Sequence, residues 1–280
     1  MQLTTKYVVL RKRIYKVEST YRYLYDYLRE LQAQGRYAVT FTELKNRFNS
    51  SGKAIQQSIY RLKRDHRLAQ VRKEFYVIVP PQYSKRGMIP PSLFLDDLMQ
   101  FLHRDYYIAL FSAAALHGAG HQQPMGYQVI INKPPIRNIK NSRLNIQYFV
   151  KSQWNPDNIL KIKSETGYIK VSSPALTAFD MVHYHKNIGG FNRIITILED
   201  LLENIKTTDL IKSAADQKVP DTQRLGYLLE QLGHNKLATS IYKKIEREKM
   251  RVIPLSLAHK NREGESDQKW NVTLNNTLDI

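Results

Sequence analysis

The chain has 280 residues, 43 Lys and Arg against 25 Asp and Glu, and no Cys, for a formal net charge of +18 at pH 7. That length allows roughly two domains of ordinary size, and the missing cysteines exclude disulfides and thiolate metal sites while staying compatible with a reducing interior. The longest apolar run, 106–116, is shorter than the ~20 residues needed to span a bilayer, and Tyr7–Leu10 ahead of Arg11-Lys12-Arg13 does not make a signal peptide, so a cytoplasmic protein with no membrane partner is expected.

The charge is unevenly placed: residues 1–87 hold 19 Lys and Arg against 6 Asp and Glu, and the remaining 193 residues hold 24 against 19. A basic first third joined to a nearly balanced remainder suits a nucleic-acid-binding domain followed by a differently employed one. Membrane-surface binding fits less well, because the basic residues are interleaved with a folded-domain pattern and form no polybasic tail.

Residues 1–17 carry no assignable periodicity and read as a basic arm or an extra turn of structure. Ser19 to Gln34 predicts a helix with Leu24, Tyr27, Leu28 and Leu31 on one face, stopped by Gly35. The region is rich in tyrosine, at positions 15, 21, 23, 25 and 27, which reads as core and boundary packing with stacking or a dimer contact as the sharper option. A short helix follows, capped by Thr40 with Glu43 three residues on as the capping-box partner. Asn49-Ser50-Ser51-Gly52 makes the break, and a second helix is predicted from about Lys53 to His66.

In that helix Ile55, Ser58, Ile59 and Leu62 fall on one side, while Lys53, Gln57, Tyr60 and Arg64, flanked by Gln56 and Arg61, fall on the other. Long hydrogen-bonding side chains on an outward face suit a major groove, where Arg and Lys reach guanine edges and Gln pairs with adenine. Leu68–Val71 and Phe75–Val79 predict a β-hairpin whose basic tip, Arg72-Lys73-Glu74, would lie along the neighbouring backbone. This is the plan of a winged helix-turn-helix. The DNA-binding candidates are Ser51, Lys53, Gln56, Gln57, Tyr60, Arg61, Arg64, Arg72 and Lys73, against the plainer reading of a solvated basic face.

Pro80-Pro81 and Pro90-Pro91 suggest a Pro-rich linker at 81–91, dividing a winged-helix domain (1–80) from a second domain (92–254) and a polar tail (255–280). The second domain begins with a helix over Ser92–His103 and a nearly all-apolar one over Asp105–His117. Strands follow at Tyr127–Asn132, Leu144–Val150, Ile159–Lys163 and Tyr168–Val171. Helices follow near Ser173–Val182, Phe191–Ile205, Thr208–Ala215, Asp221–Leu232 and Asn235–Glu248. The fold class is α+β: an N-terminal winged helix-turn-helix, then a mixed domain with a small, mostly antiparallel sheet and a C-terminal set of helices. From Leu255 the periodicity ends, and the tail is expected to be loose.

The run Tyr107-Ile108-Ala109-Leu110-Phe111-Ser112-Ala113-Ala114-Ala115-Leu116-His117-Gly118, followed by a strand ending in Asn132-Lys133-Pro134, resembles the start of the C-terminal domain of AbiEi-type antitoxins. Ser172-Ser173-Pro174-Ala175-Leu176-Thr177-Ala178-Phe179-Asp180-Met181-Val182 resembles a helix of the same family. These motifs are packing patterns, and the order of elements along nearly the whole chain carries most of the resemblance. It implies a bacterial antitoxin of a type IV toxin–antitoxin, abortive-infection system of phage defence. In that family the winged helix binds inverted repeats in the operon's own double-stranded promoter DNA and represses it, while the C-terminal domain counteracts a nucleotidyltransferase-like toxin. The basic N-terminal stretch and the polar tail depart from the family pattern.

No catalytic residue, cofactor site or metal site is expected. His117 and His121 are separated by two glycines, which makes a shared helical metal site unfavourable, and His117 reads as an imidazolium at a helix C-terminus. His183 and His185 have no carboxylate pattern joining them, Asp96-Asp97 suits a helix first turn, and Asp180 reads as a surface position on an amphipathic helix. Walker and G-x-G-x-x-G loops are missing, and Ser112 lacks the glycines of a nucleophile elbow. A plain winged-helix regulator with a ligand-sensing or dimerisation domain is the alternative, and a winged-helix nuclease is a weaker third.

Overall fold

The computed structural model describes residues 21–48, 50–120, 126–258 and 263–279. The arm at 1–17, the helix start at Ser19, Asn49, His121 and residues 259–262 of the tail lie outside the described residues. The chain divides into two compact units, the first comprising Met1–Asp105, Ile139–Asn145 and Lys163–Ile169, the second Tyr106–Asn138, Ile146–Ile162 and Lys170–Ile280.

In the first unit, helix α1 (21–33) is followed by β1 (Ala38–Thr40), α2 (Phe41–Arg47), α3 (Gly52–Arg64), β2 (Leu68–Arg72) and β3 (Phe75–Ile78). Leu24, Leu28 and Leu31 recur at helical spacing and meet Leu44, Ile55, Ile59 and Leu62 over the inner face of the strands, where Val39, Leu68, Tyr76 and Ile78 complete one core. Glu74 adopts a left-handed φ of +64° in the turn that joins β2 to β3. β1 adds antiparallel to β3, giving the strand order β1-β3-β2.

The capping box at Thr40 is half formed. Thr40 Oγ1 accepts the Glu43 amide at 3.1 Å, but the Glu43 carboxylate turns away to Arg36 and to the Tyr27 hydroxyl, which donates at 2.8 Å. Three hydrogen bonds to the carboxylate, two of them from a guanidinium, outcompete one backbone donor.

Residues 81–91, read from sequence as a linker, form part of this unit in the structure. Pro81 and Pro91 each start a short 3₁₀ turn, Met88, Ile89 and Leu93 are buried, and α4 (Leu95–Phe101) sets Phe101 5.3 Å from Phe75. Proline fixes φ without preventing its neighbours from packing, so apolar residues between the pairs draw the segment in.

The second unit contains β4 (Tyr106–Ile108), α5 (Leu110–Leu116) and β5 (Tyr127–Ile131). The single helix expected over 105–117 is thus a strand and a helix. Ala109 is extended and Leu110 has a φ of +56°, which breaks the run at a corner that its uniform apolarity conceals. With β6 (Ile139–Lys140), β7 (Asn145–Val150), β8 (Ile159–Ser164) and β9 (Gly167–Ser172), the sheet order is β6-β7-β5-β4-β9-β8. β4 runs antiparallel to β5, whereas β5–β7 and β4–β9 are parallel. The sheet is therefore mixed, and its two parallel pairings, β5–β7 and β4–β9, need crossover connections that hairpin-based reading overlooks.

Helices α6 (Pro174–His183), α7 (His185–Ile188), α8 (Phe191–Leu202), α9 (Thr207–Ala214), α10 (Val219–Gln231) and α11 (Asn235–Ile245) build the core of this unit around Phe179, Ile194, Leu198, Leu225 and Ile241. Ser173 caps α6 by accepting the Leu176 amide at 3.2 Å, with Pro174 at its first position.

The tail expected to be loose is ordered over its described part. β10 (Ile253–Pro254), β11 (Ser266–Asp267) and β12 (Val272–Thr273) form a small sheet, and Leu255, Trp270 and Val272 are fully buried. Gln223 Nε2 donates to the carbonyls of Arg251 (3.0 Å) and Trp270 (2.7 Å), and Arg224 Nε donates to that of Leu255 (3.0 Å). Isolated anchors held by side-chain donors leave no periodicity to read.

Candidate nucleic-acid interface and the buried polar cluster of the second unit

Ser51 caps α3, its Oγ accepting the Ala54 amide at 3.3 Å. Ile55, Ser58, Ile59 and Leu62 are buried, and Ser58 is satisfied by donating to the Ala54 carbonyl. On the opposite face Lys53, Gln56, Gln57, Tyr60 and Arg64 are exposed and Arg61 is half-buried; all six line one open depression. Tyr60, 68% exposed, projects a ring and a hydroxyl with no apolar cover. This face holds three cations, two amides and a phenol without a carboxylate, so it presents donors outward.

The remaining candidates sit at the hairpin end. Lys73 is exposed in the turn and Arg72 is half-buried at the end of β2. Arg64 is paired at 3.4 Å with its neighbour Asp65, both well exposed, an arrangement that water and salt weaken.

The second unit carries polar chemistry that sequence reasoning missed. Asp180, expected on a surface, is fully buried. Its Oδ1 meets Lys151 Nζ at 2.8 Å, and its Oδ2 accepts the Tyr107 hydroxyl at 2.9 Å. Burial pushes the Asp180 carboxyl up, opposed by the Lys151 ammonium and the Tyr107 hydroxyl. Burial raises the Tyr107 phenol well above its usual value as well, so it acts as a donor.

His183 does have a carboxylate partner: its Nδ1 lies 2.7 Å from Asp221 Oδ2, supplied by α10, 38 positions away. Arg224 stands 3.6 Å from the other Asp221 oxygen. His185 is fully buried, with Nδ1 2.7 Å from the Val182 carbonyl and Nε2 2.9 Å from the Leu257 amide. Those partners require a neutral ring protonated on Nδ1, and burial lowers its pKa accordingly. His117 closes α5 as expected, but burial lowers its pKa also, and its Nε2 meets the Ser172 carbonyl at 2.7 Å. It is a neutral donor and not an imidazolium. The signal available in sequence was Asp180 itself, a lone acid in a run of eight buried residues.

Asp96 and Asp97 occupy the first turn of α4, in agreement with the dipole argument. Among the described residues no group of three or more His, Cys, Asp or Glu is placed to hold a metal, and no helix is long and apolar enough to cross a membrane.

Residues 107–231 match the family described as the AbiEi antitoxin C-terminal domain, so the chain carries a domain of that family. That domain supports an antitoxin or transcriptional-regulator role, in a family that is not one of enzymes. No curated protein matches the chain. Among solved structures, the RV2827C protein from Mycobacterium tuberculosis is similar in fold, with a TM-score of 0.63, 19% identity and 88% of each chain covered.

Proposed function

We propose that this chain, whose residues 107–231 carry an AbiEi antitoxin C-terminal domain, is the antitoxin of a type IV toxin–antitoxin system and represses its own promoter. In this reading the first unit is a winged helix-turn-helix. α3 enters the major groove of promoter inverted repeats, where Lys53, Gln56, Gln57, Tyr60, Arg61 and Arg64 meet base edges and phosphates; Ser51 contacts the backbone at the helix N-terminus, and Arg72 and Lys73 do so from the wing. The second unit counteracts a nucleotidyltransferase-like toxin in the cytoplasm, in phage defence.

The observation that carries the DNA reading is the outer face of α3. An acid-free row of long donors stands over a buried Ile55-Ile59-Leu62 face, on the helix that precedes the β2–β3 hairpin of a three-stranded β1-β3-β2 sheet. Such a helix and hairpin can place side chains in a groove and cations on the flanking phosphates.

Two measurements test it. Gel-shift titration of the full chain on DNA from upstream of its own operon should give specific binding that Gln57→Ala and Arg61→Ala each weaken by about 1–3 kcal/mol. Co-expression with an adjacent nucleotidyltransferase-like gene should restore growth. Binding indifferent to both substitutions would reject the interface, and failure to restore growth would leave the plain-regulator alternative.

A further inference from the structure

We propose that the turn joining β6 to β7, Asn141–Arg143, is a second phosphate-contacting element beside the wing, with Arg143 as its cation; the inference rests on the DNA-binding reading above. An open groove in the first unit is lined by Lys63, Arg72 and Lys73 on the α3 and hairpin side and by Asn141, Ser142 and Arg143 on the other. None of the residues lining it is acidic, so four cations converge with no carboxylate among them. Like charges gathered in this way repel, and a polyanion relieves the repulsion.

The turn is built to hold its position. Asn141 Oδ1 accepts the amides of Arg143 (2.9 Å) and Leu144 (2.8 Å), and the Asn141 amide donates to the Leu144 carbonyl at 2.9 Å. Asn141, Ser142 and Arg143 are exposed at its tip. A close approach at Gly87 seats the Arg143 guanidinium: a Cβ there would lie 2.7 Å from Arg143 Nη1 and 2.9 Å from His66 Nδ1. On the opposite wall Lys63 Nζ bonds Gln70 Oε1 at 2.9 Å, which fixes a second cation. An open groove with no acid among its lining residues, bordered by the hairpin, suits backbone phosphates of a duplex, read without sequence preference.

The experiment uses the full chain and fluorescence anisotropy on two 30-base-pair duplexes, one from upstream of its own reading frame and one of random sequence, from 50 to 200 mM salt. Arg143→Ala should reduce the slope of log affinity against log salt by about 0.9 on both duplexes. The wild-type advantage then shrinks about 3.5-fold across that range. Arg143→Lys should keep the slope, and both variants should melt like wild type. An unchanged slope for Arg143→Ala, in a chain where Arg72→Ala lowers it, overturns the inference and leaves the DNA reading standing. Binding of neither duplex by the wild-type chain overturns both.

Discussion

The carboxylate of Asp180 and the ammonium of Lys151 face each other at 2.8 Å inside the second unit, with Asp180 fully buried and the Lys151 side chain 16% exposed. The exposure is asymmetric, so the two halves of the pair are not equivalent to remove. Lys151→Met strands a buried carboxylate, which is expected to cost about 3–5 kcal/mol. Asp180→Asn should cost less, because its amide oxygen can still accept from Tyr107 and the lysine can reach water. Chemical denaturation of both variants and the double variant checks this order. The double should recover part of the Lys151→Met loss. Equal losses for the two single variants would show that the ammonium is not what holds Asp180 charged. Any effect of Asp180→Asn on toxin suppression should follow its stability.

Stability should also fall on mild acidification, through His185. Its Nε2 accepts the Leu257 amide, so a proton there breaks that bond. Burial keeps the folded-state pKa below the ordinary 6.5, and the unfolded chain therefore takes up its proton first. Stability is full above about pH 6.5 and declines as pH drops toward the folded-state value, by at most about 1.4 kcal/mol per pH unit for one such group. His117 acts with the same sign. In His185→Gln the side chain can still donate to Val182 and accept from Leu257. Urea midpoints at pH 7.5 and 5.5 should differ less in this variant than in wild type.

Trp270 packs against Gly226 in the middle of α10, where a Cβ would stand 2.1 Å from the indole ring. Helix propensity alone favours Gly226→Ala by about 1 kcal/mol. Overpacking in a filled core costs about 1–3 kcal/mol or more, so it should win. Thermal melting should show Gly226→Ala below wild type, and Trp270→Leu should make the alanine tolerable. A rise in melting temperature for Gly226→Ala alone would mean that Trp270 is held loosely.

The contrast between α3 and Asp180 shows what a linear reading can reach. Ile55, Ser58, Ile59 and Leu62 lie within one helix, so a 100° wheel separates them from Lys53, Gln57 and Tyr60 before any tertiary contact exists, and the structure buries the first set and exposes the second. Asp180 is also on a helix, but α6 is covered on every side, so its periodicity carries no facing information. Its partners come from β4 and the end of β7, and the partner of His183 from α10, pairings fixed by topology alone. Arg143 and Trp270 were invisible for the same reason: an exposed arginine in a turn and a tryptophan in a polar stretch have no local pattern. Leu110 marks a further limit, since an all-apolar run does not disclose the corner at which strand becomes helix.

The compact first unit changes where a fragment made to test DNA binding should end. Residues 85–105 contribute Met88, Ile89, Leu93, Phe94, Leu95 and Leu98 as buried side chains, and Phe101 packs on Phe75 of β3. A fragment ending at Ser84, the boundary suggested by the proline pairs, exposes the underside of the hairpin that would form the wing. One ending at Asp105 keeps it covered. The longer fragment should be more stable by about 2–5 kcal/mol, in line with loss of a large buried aromatic contact, and should bind promoter DNA at lower protein concentration. Both should lack residues 139–145 and so show a shallower salt dependence than the full chain. Neither should suppress the toxin if antagonism resides in the second unit. Denaturation midpoints, gel-shift titrations and the growth assay read these outcomes in turn. Equal stability of the two fragments would show that residues 85–105 add nothing to the first unit, and suppression by either would move the antitoxin activity to the first unit.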